Sequence, residues 1–344
     1  MNNLLFTYEG FDKTNIGDYI QSLAAKQFIP KDKDITYVHR DYLNEIDSTS
    51  KVIMNGWFTH IPENWPPSDL ISPLFVAFHI NSSAYEKLLS SKSIDYLRQH
   101  EPIGCRDKNT ADILQSHGID SYFSSCLTTT LGYKYHSNKK NEKIYVVDAV
   151  HYVPESNRRF QKYKFYIQYL IYYKGISKFI NSARKNNPYI IDFKDHYDRF
   201  CCIVRSYMII RQLIPRKEMD NVEILTQYHD ASEIPSNEER FARAEELLHK
   251  YSEARLVITS RIHCALPCLG LETPVLFLRN LDDSDESTCR FKGLLDLLNV
   301  VQFKRNRIIN SPFNVPLDIQ SIANPTRYKK YAEKLIKKCM DFWK

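Results

Sequence analysis

The chain reads as an α/β protein of two similar halves, each a parallel sheet covered by helices, with a cleft between them. Three observations predict this. Short apolar runs rich in β-branched residues alternate with stretches of helical periodicity, the pattern of βαβ units. A polar stretch, 136–142, interrupts that alternation before it resumes. At 344 residues the chain exceeds what one hydrophobic core usually serves, so two domains are expected.

In the first half, residues 4–8 read as the opening strand. Residues 15–27 follow as a helix with Ile16, Ile20, Leu23 and Ala24 on one core-facing stripe. Runs 35–38, 52–55 and 74–79 are further strands, 84–98 a helix, and 103–105 a short strand that stops at Arg106-Asp107. Asp107 suits the N-cap of a helix over 108–117, and Gly118 suits its stop. Residues 122–131 close the half as strand and loop. The second half opens with a strand over 143–150, and 222–226, 256–258 and 275–278 are its other strands, with a helix over 237–252. Residues 325–344 form a basic amphipathic helix. The expected units are an N-terminal domain 1–136, a C-terminal domain 143–324 and a terminal helix 325–344.

Composition excludes several classes. Hydrophobic content of 43% and charged content of 26% are those of a globular protein. A net charge of +6 suits acidic small molecules or an anionic surface, and no single basic tract calls for nucleic acid. The eight cysteines lack the paired spacing of a zinc site, so no metal is expected. Met1-Asn2-Asn3 runs straight into an apolar strand without a secretory signal, so a cytoplasmic protein with reduced thiols is expected. No run is long and apolar enough to span a bilayer. With nine glycines and no G-x-G-x-x-G or G-x-x-x-x-G-K-[ST], a glycine-rich nucleotide cradle is not expected.

The most informative stretch is Leu256-Val257-Ile258-Thr259-Ser260-Arg261-Ile262-His263-Cys264-Ala265-Leu266-Pro267. The β-branched run is a buried strand, and Thr259 and Ser260 end it and can cap the next helix. Arg261 and His263 then fall at a strand-to-helix junction, where open α/β sheets bind ligands and a helix N-terminus favours an anion. The alternative is structural: Arg261 pairs with a carboxylate and His263 packs within the helix.

Three blocks together resemble the polysaccharide pyruvyl transferase family. Asn15-Ile16-Gly17-Asp18-Tyr19-Ile20-Gln21 is similar to its amino-terminal N-x-G-D pattern. Gly104-Cys105-Arg106-Asp107-Lys108-Asn109-Thr110 is similar to its R-D-x-x-T block, continuing through Gly118-Ile119 to a strand end at Ser125-Cys126-Leu127-Thr128. Thr259-Ser260-Arg261-Ile262-His263, followed by Thr273-Pro274-Val275, is similar to its S-R-x-H and G-x-P-V block. The resemblance implies two Rossmann-like domains facing a cleft, like the glycosyltransferase B architecture. It implies transfer of pyruvate from phosphoenolpyruvate, the donor substrate, to two hydroxyls of a sugar in a capsule, exopolysaccharide or cell-wall precursor. No separate cofactor is implied.

Within that resemblance, Arg106 and Arg261 are the expected pair of donor clamps, since guanidinium groups bind carboxylate and phosphate bidentately. His263 is the expected acid/base. Asn15, Asp18 and Ser260 are expected substrate contacts, although Asp18 equally suits the first turn of its helix. Thr128 is expected either to donate to phosphate or to be an ordinary strand residue. Relatives place a lysine beyond the motif histidine, where this chain reads Arg279-Asn280-Leu281-Asp282-Asp283; either Arg279 takes that role or the role is absent.

An insert over 157–217 interleaves bases and aromatics, among them Arg158, Arg159, Phe160, Lys162, Tyr163, Lys164, Phe165 and Tyr166. It reads either as a helical hairpin packed on the sheet with snorkelling lysines or, over 157–185, as a surface docking at the inner face of the cytoplasmic membrane. The second reading suits an acceptor glycan carried on a polyprenyl diphosphate. Two other functions fit the same residues. A nucleotide-sugar glycosyltransferase would use Arg106 and Arg261 on a diphosphate, and a non-catalytic scaffold would bind glycan or lipid carrier without chemistry.

Overall fold

The computed structural model describes residues 1–150, 162–186, 197–282 and 289–344. Arg158, Arg159 and Phe160 of the expected insert, and Asp283 beyond Arg279, lie outside the described residues.

The protein is α/β with two six-stranded sheets, each consistent with a Rossmann-like domain. The first holds β1 (Asn2–Thr7), β3 (Ile35–His39), β4 (Ser50–Phe58), β5 (Ile71–Ile80), β6 (Ile103–Cys105) and β7 (Ser121–Phe123). Its order is β3-β1-β4-β5-β6-β7, all parallel. The second holds β8 (Ile144–Val147), β9 (Val222–Leu225), β11 (Leu256–Thr259), β12 (Val275–Asn280), β13 (Asn299–Lys304) and β14 (Arg307–Asn310). Its order is β14-β13-β12-β11-β8-β9, parallel except for the edge pair β13–β14. A third pairing, antiparallel between β2 (Lys13–Asn15) and β10 (Tyr228–Asp230), ties one half to the other.

Every strand expected from apolar runs is present, within a few residues at each end. The strands β2 and β10 escape pattern reading because three residues show no period. They exist only because the two halves meet. The expected helix over 84–98 is two, Tyr85–Leu88 and Ser91–Arg98, because Leu89 leaves helical geometry and Ser90 is extended. Residues 127–130 are not a strand end but the 3₁₀ turn Leu127–Thr130. Ser125 turns the chain at φ +68, and the Thr129 and Thr130 hydroxyls then donate back to the carbonyls of Cys126 and Leu127 at 2.7 Å. Gly118 does end its helix, at φ +75.

One apolar core spans the first sheet and the inner face of the second. The helix Ile16–Lys26 buries Ile16, Tyr19, Ile20 and Leu23 and packs on the helix Asn237–Glu253 of the second half. The Tyr19 and Phe241 rings meet edge to face at 5.1 Å, and the Tyr19 hydroxyl donates to Asn237 Oδ1 at 2.8 Å. The C-terminal helix Lys329–Trp343 does not stay with the second half. It buries Ala332, Leu335 and Cys339 against the first, where Tyr331 meets Phe123 at 5.1 Å and Lys51 Nζ donates to the Phe342 carbonyl at 3.1 Å. The insert helices Lys162–Ile171, Tyr173–Asn186 and Tyr197–Leu213 cover the outer face of the second sheet through Phe165, Ile176, Phe179 and Val204.

Glycine allows a close approach of the two halves. A Cβ on Gly270, at the end of the helix Ile262–Gly270, would fall 2.5 Å from the Thr129 carbonyl oxygen. Both sides of that contact are backbone, so neither can swing away. Gly270→Ala is therefore expected to cost about 1–3 kcal/mol, read as a lower urea midpoint at unchanged m-value. A midpoint equal to wild type would mean the halves do not pack here.

Candidate functional site

Parallel strands end where the chain turns into the next helix, so both sheets offer their carboxyl ends to one space. Residues following β1, β3, β4, β5, β6, β8, β9 and β11, and the ends of β12 and β13, line a cleft of about 1210 Å³ between the halves. Its cations are Lys13, Arg40, Arg106, Arg261, Arg279 and Arg290.

Arg106 follows β6, with its backbone N–H held by the Phe78 carbonyl at 2.8 Å. It is 3% exposed, and its Nε has no hydrogen-bond partner. Nη1 lies 3.5 Å from His263 Nε2 and donates to it, so that nitrogen presents its lone pair to the guanidinium. Burial, reinforced by Arg106, Arg290 and Arg261, holds the His263 imidazole well below its ordinary pKa, and it is neutral at pH 7.

Behind Arg106 lies a buried pair. His79 Nδ1 donates to Asp107 Oδ2 at 2.6 Å, and Asp107 caps the helix Lys108–Ser116 by accepting from Thr110 N at 2.9 Å. Burial and the Arg106 charge push His79 down to about 4. Burial alone would raise Asp107, but His79, Arg106 and the Thr110 N–H together hold it below the usual carboxylate range. The capping role expected of Asp107 is observed; His79 and Thr110 support the arginine rather than line the cleft.

The second arginine is aimed by a carboxylate. Asp148, just beyond β8, sits at φ +44, an uncommon angle for a residue with a side chain. Its Oδ2 accepts from Arg261 Nε at 3.3 Å and from Gln227 N at 3.0 Å, and its Oδ1 accepts from Thr226 Oγ1 at 2.7 Å. The Arg261 guanidinium lies over the Tyr228 ring, 4.1 Å from its centroid. Thr259 does not cap the helix Ile262–Gly270; its Oγ1 accepts from Arg261 N at 2.9 Å, while the Ser260 hydroxyl donates to the Asp148 carbonyl. Those hydroxyls shape the turn instead.

From the first half, Asn15 caps its helix by accepting from Gly17 N at 3.1 Å and donates Nδ2 to Asp18 at 3.2 Å. Burial raises the Asp18 carboxyl, and Arg40, Arg106 and Arg261 draw it back only in part. Asn15, Asp18, Arg106, Ser260, Arg261, His263 and Arg279 all line the cleft, and the Arg279 Nε is buried without a hydrogen-bond partner. Thr128 does not line it. That residue is fully buried in its 3₁₀ turn, its hydroxyl 3.1 Å from Cys126 Sγ.

Several lining residues escape sequence reading. Arg40, following β3, lies over the rings of Tyr8 at 5.1 Å and Trp57 at 4.9 Å and is bonded to Asp41 at 2.9 Å. A signal for it exists: Arg40-Asp41 follows an apolar strand just as Arg106-Asp107 does. Phe11, His60 and Trp57 form a ladder of rings at 4.5 and 4.2 Å, in which Phe11 comes from a segment that no local pattern connects to the other two. Among the described residues no group of His, Cys, Asp and Glu is arranged to hold a metal ion, and no helix is long and apolar enough to cross a membrane.

His79 and His229 are both buried, and both are depressed to about 4, His229 by burial and Arg243. In the unfolded chain each takes a proton near pH 6.5, whereas the folded protein resists until about pH 4. Stability is thus expected to fall with pH between those values, by about 1.4 kcal/mol per pH unit per histidine. Urea unfolding from pH 7 to 4.5 reads this, and His79→Gln should flatten the slope. A pH-independent midpoint would show that neither histidine is held neutral.

Residues 15–283 match the family model described as polysaccharide pyruvyl transferase, a span holding all three sequence blocks and both arginines. No curated protein matches the chain.

Proposed function

The chain belongs to the polysaccharide pyruvyl transferase family, and on that premise we propose that it moves the pyruvyl group of phosphoenolpyruvate onto two hydroxyls of one sugar, releasing phosphate. The observation that carries this reading is the meeting of Arg106 and His263, from opposite halves, 3.5 Å apart in a cation-lined cleft that also holds Arg261. Phosphoenolpyruvate presents a carboxylate and a phosphate, and two fixed guanidinium groups suit both. The two Rossmann-like halves enclose the site in the manner of the glycosyltransferase B architecture.

The chemistry balances on two protons. One sugar hydroxyl adds to C2 of the enol as C3 takes up a proton and becomes a methyl group. The C2–O bond to phosphate then breaks, and the second hydroxyl closes the ketal on the cation-like carbon. One hydroxyl proton ends on the methyl group and the other on phosphate. In the free protein His263 is neutral because it is buried, and the field of the surrounding arginines adds to that. An arriving anion engages Arg106 and Arg261, reverses that field and raises the imidazole pKa. His263 so charged serves as the acid for C3 or for the leaving phosphate, near its working pH.

Phosphate release from phosphoenolpyruvate across galactose-, mannose- and N-acetylhexosamine-terminated glycosides tests the reaction. Wild type is expected to release phosphate only with an acceptor, which gains the mass of pyruvate less water. His263→Ala is expected to lose about 10²–10⁴-fold in turnover while keeping a thermal shift with phosphoenolpyruvate. Calorimetry at pH 7 in buffers of different ionisation enthalpy should give uptake of up to about one proton on binding, and none in His263→Gln. Turnover of a nucleotide sugar instead, with no response to phosphoenolpyruvate, would overturn the reading in favour of glycosyl transfer.

The ring ladder of Phe11, His60 and Trp57 suits the apolar face of the acceptor sugar, since flat rings with a polar rim bind such faces. Phe11 is 40% exposed, so its removal leaves the core intact. Phe11→Ala is expected to raise the acceptor KM about 2- to 12-fold, the worth of one ring contact of about 0.5–1.5 kcal/mol, with phosphoenolpyruvate binding unchanged. Equal loss for donor and acceptor would place the sugar elsewhere.

A further inference from the structure

The helix Lys162–Ile171 is built inside out. Its core contact is Phe165, 1% exposed, on the outer face of the second sheet. Tyr163, Ile167, Leu170 and Ile171, at i, i+4, i+7 and i+8, share the opposite side and are exposed, Tyr163 at 82% and Leu170 at 72%. Tyr173 extends this stripe at the start of the next helix. A contiguous apolar stripe of this spacing normally faces a core, and scattered single exposures do not resemble it.

Charge identifies what covers it. Between residues 163 and 186 the chain carries Lys164, Lys174, Lys178, Arg184 and Lys185 and no aspartate or glutamate. Lys178 is matched by Asp220 at 2.6 Å, while Lys164 and Lys174 stand exposed beside the stripe. A second copy docked through the same patch would set these cations against themselves. Tyrosines at the border of an apolar strip, flanked by lysines, match the headgroup level of a bilayer with anionic lipids. We propose that this helix face is a docking surface for an anionic phospholipid bilayer, seated at interfacial depth rather than spanning it.

The surface is coupled to the cleft through one turn. Gln168, on the same helix, accepts from Asn306 Nδ2 at 3.1 Å, and the Asn306 carbonyl accepts from Gln212 Nε2 at 2.8 Å. Asn306 lies between β13 and β14, and Phe303 of β13 lines the cleft. A membrane under this helix therefore holds one rim of the cleft near the lipid surface.

Flotation of the full chain with phosphatidylcholine vesicles, with and without phosphatidylglycerol, tests this without turnover, so it stands or falls apart from pyruvyl transfer. Wild type is expected to float with the anionic vesicles and to be released by high salt. Each of Lys164→Gln and Lys174→Gln should lower the partition coefficient about five-fold. Ile167→Ser/Leu170→Ser should lower it at least about ten-fold, with an unchanged urea midpoint because both side chains are exposed. Equal flotation of wild type and variants, or no flotation of wild type, would overturn the proposal. So would a concentration-dependent dimer that the serine variant abolishes.

Discussion

The backbone and side chain of Gln227 join the two halves at the point where the site forms. Its N–H donates to Asp148 Oδ2 at 3.0 Å, its carbonyl accepts from Ile16 N at 2.8 Å, and its Nε2 donates to the His263 carbonyl at 3.0 Å. One residue thus links the end of β8, the start of the first half's helix and the segment bearing the histidine. Gly17 allows this approach: a Cβ there would lie 3.0 Å from His263 Cβ and 3.1 Å from Gln227 Oε1. Asp148 completes the node by orienting Arg261, which explains why a non-glycine residue is kept at φ +44. If this node shifts, Arg261, His263 and the helix bearing Asp18 shift with it.

The cleft concentrates positive charge that the fold only partly answers. Asp41 pairs with Arg40, Asp148 with Arg261, and Asp107 lies 4.0 Å from Arg106 Nε, beyond hydrogen-bond reach. Arg106 and Arg279 each keep a buried Nε without a hydrogen-bond partner. Unmatched buried donors are costly, so they are expected where a ligand supplies the missing acceptors. The same field adds to the burial that keeps His263 neutral. In the proposed reaction, donor binding and the protonation of the acid are therefore one electrostatic event, prepared by fixed charges that need not reorganise.

The second sheet serves two environments. Its inner face shares a core with the first half, and its strand ends deliver Arg261 and Arg279 to the cleft. Its outer face is covered by the insert helices, whose far side carries exposed tyrosines, aliphatics and lysines. The two readings of the insert are thus not exclusive. Phe165, Ile176 and Phe179 make it a packed helical layer, while Tyr163, Ile167 and Leu170 leave it an outward apolar stripe.

Arg106, Arg261 and His263 stand out through their place at strand ends and through the motif resemblance, and β13 and β14, like β2 and β10, are not read from the sequence; local pattern was enough for the other strands of both halves, the cap at Asp107 and the stop at Gly118. Each depends on a short period or on one residue's conformational preference, which the chain expresses without knowing its neighbours. The sequence therefore determined an α/β fold with cations at strand ends. Tertiary structure alone decided the pairing of β2 with β10, the return of the C-terminal helix to the first half, the burial of Thr128 in a 3₁₀ turn and the placing of Arg40, Phe11, His60 and Trp57 in the cleft. Apart from the local turn at Thr128 and the near neighbours Trp57 and His60, these contacts join segments far apart in the chain, so no window of sequence contains both partners. The depressed pKa of His263 belongs with them, because it arises from burial between the two halves, to which the arginines that they bring together add.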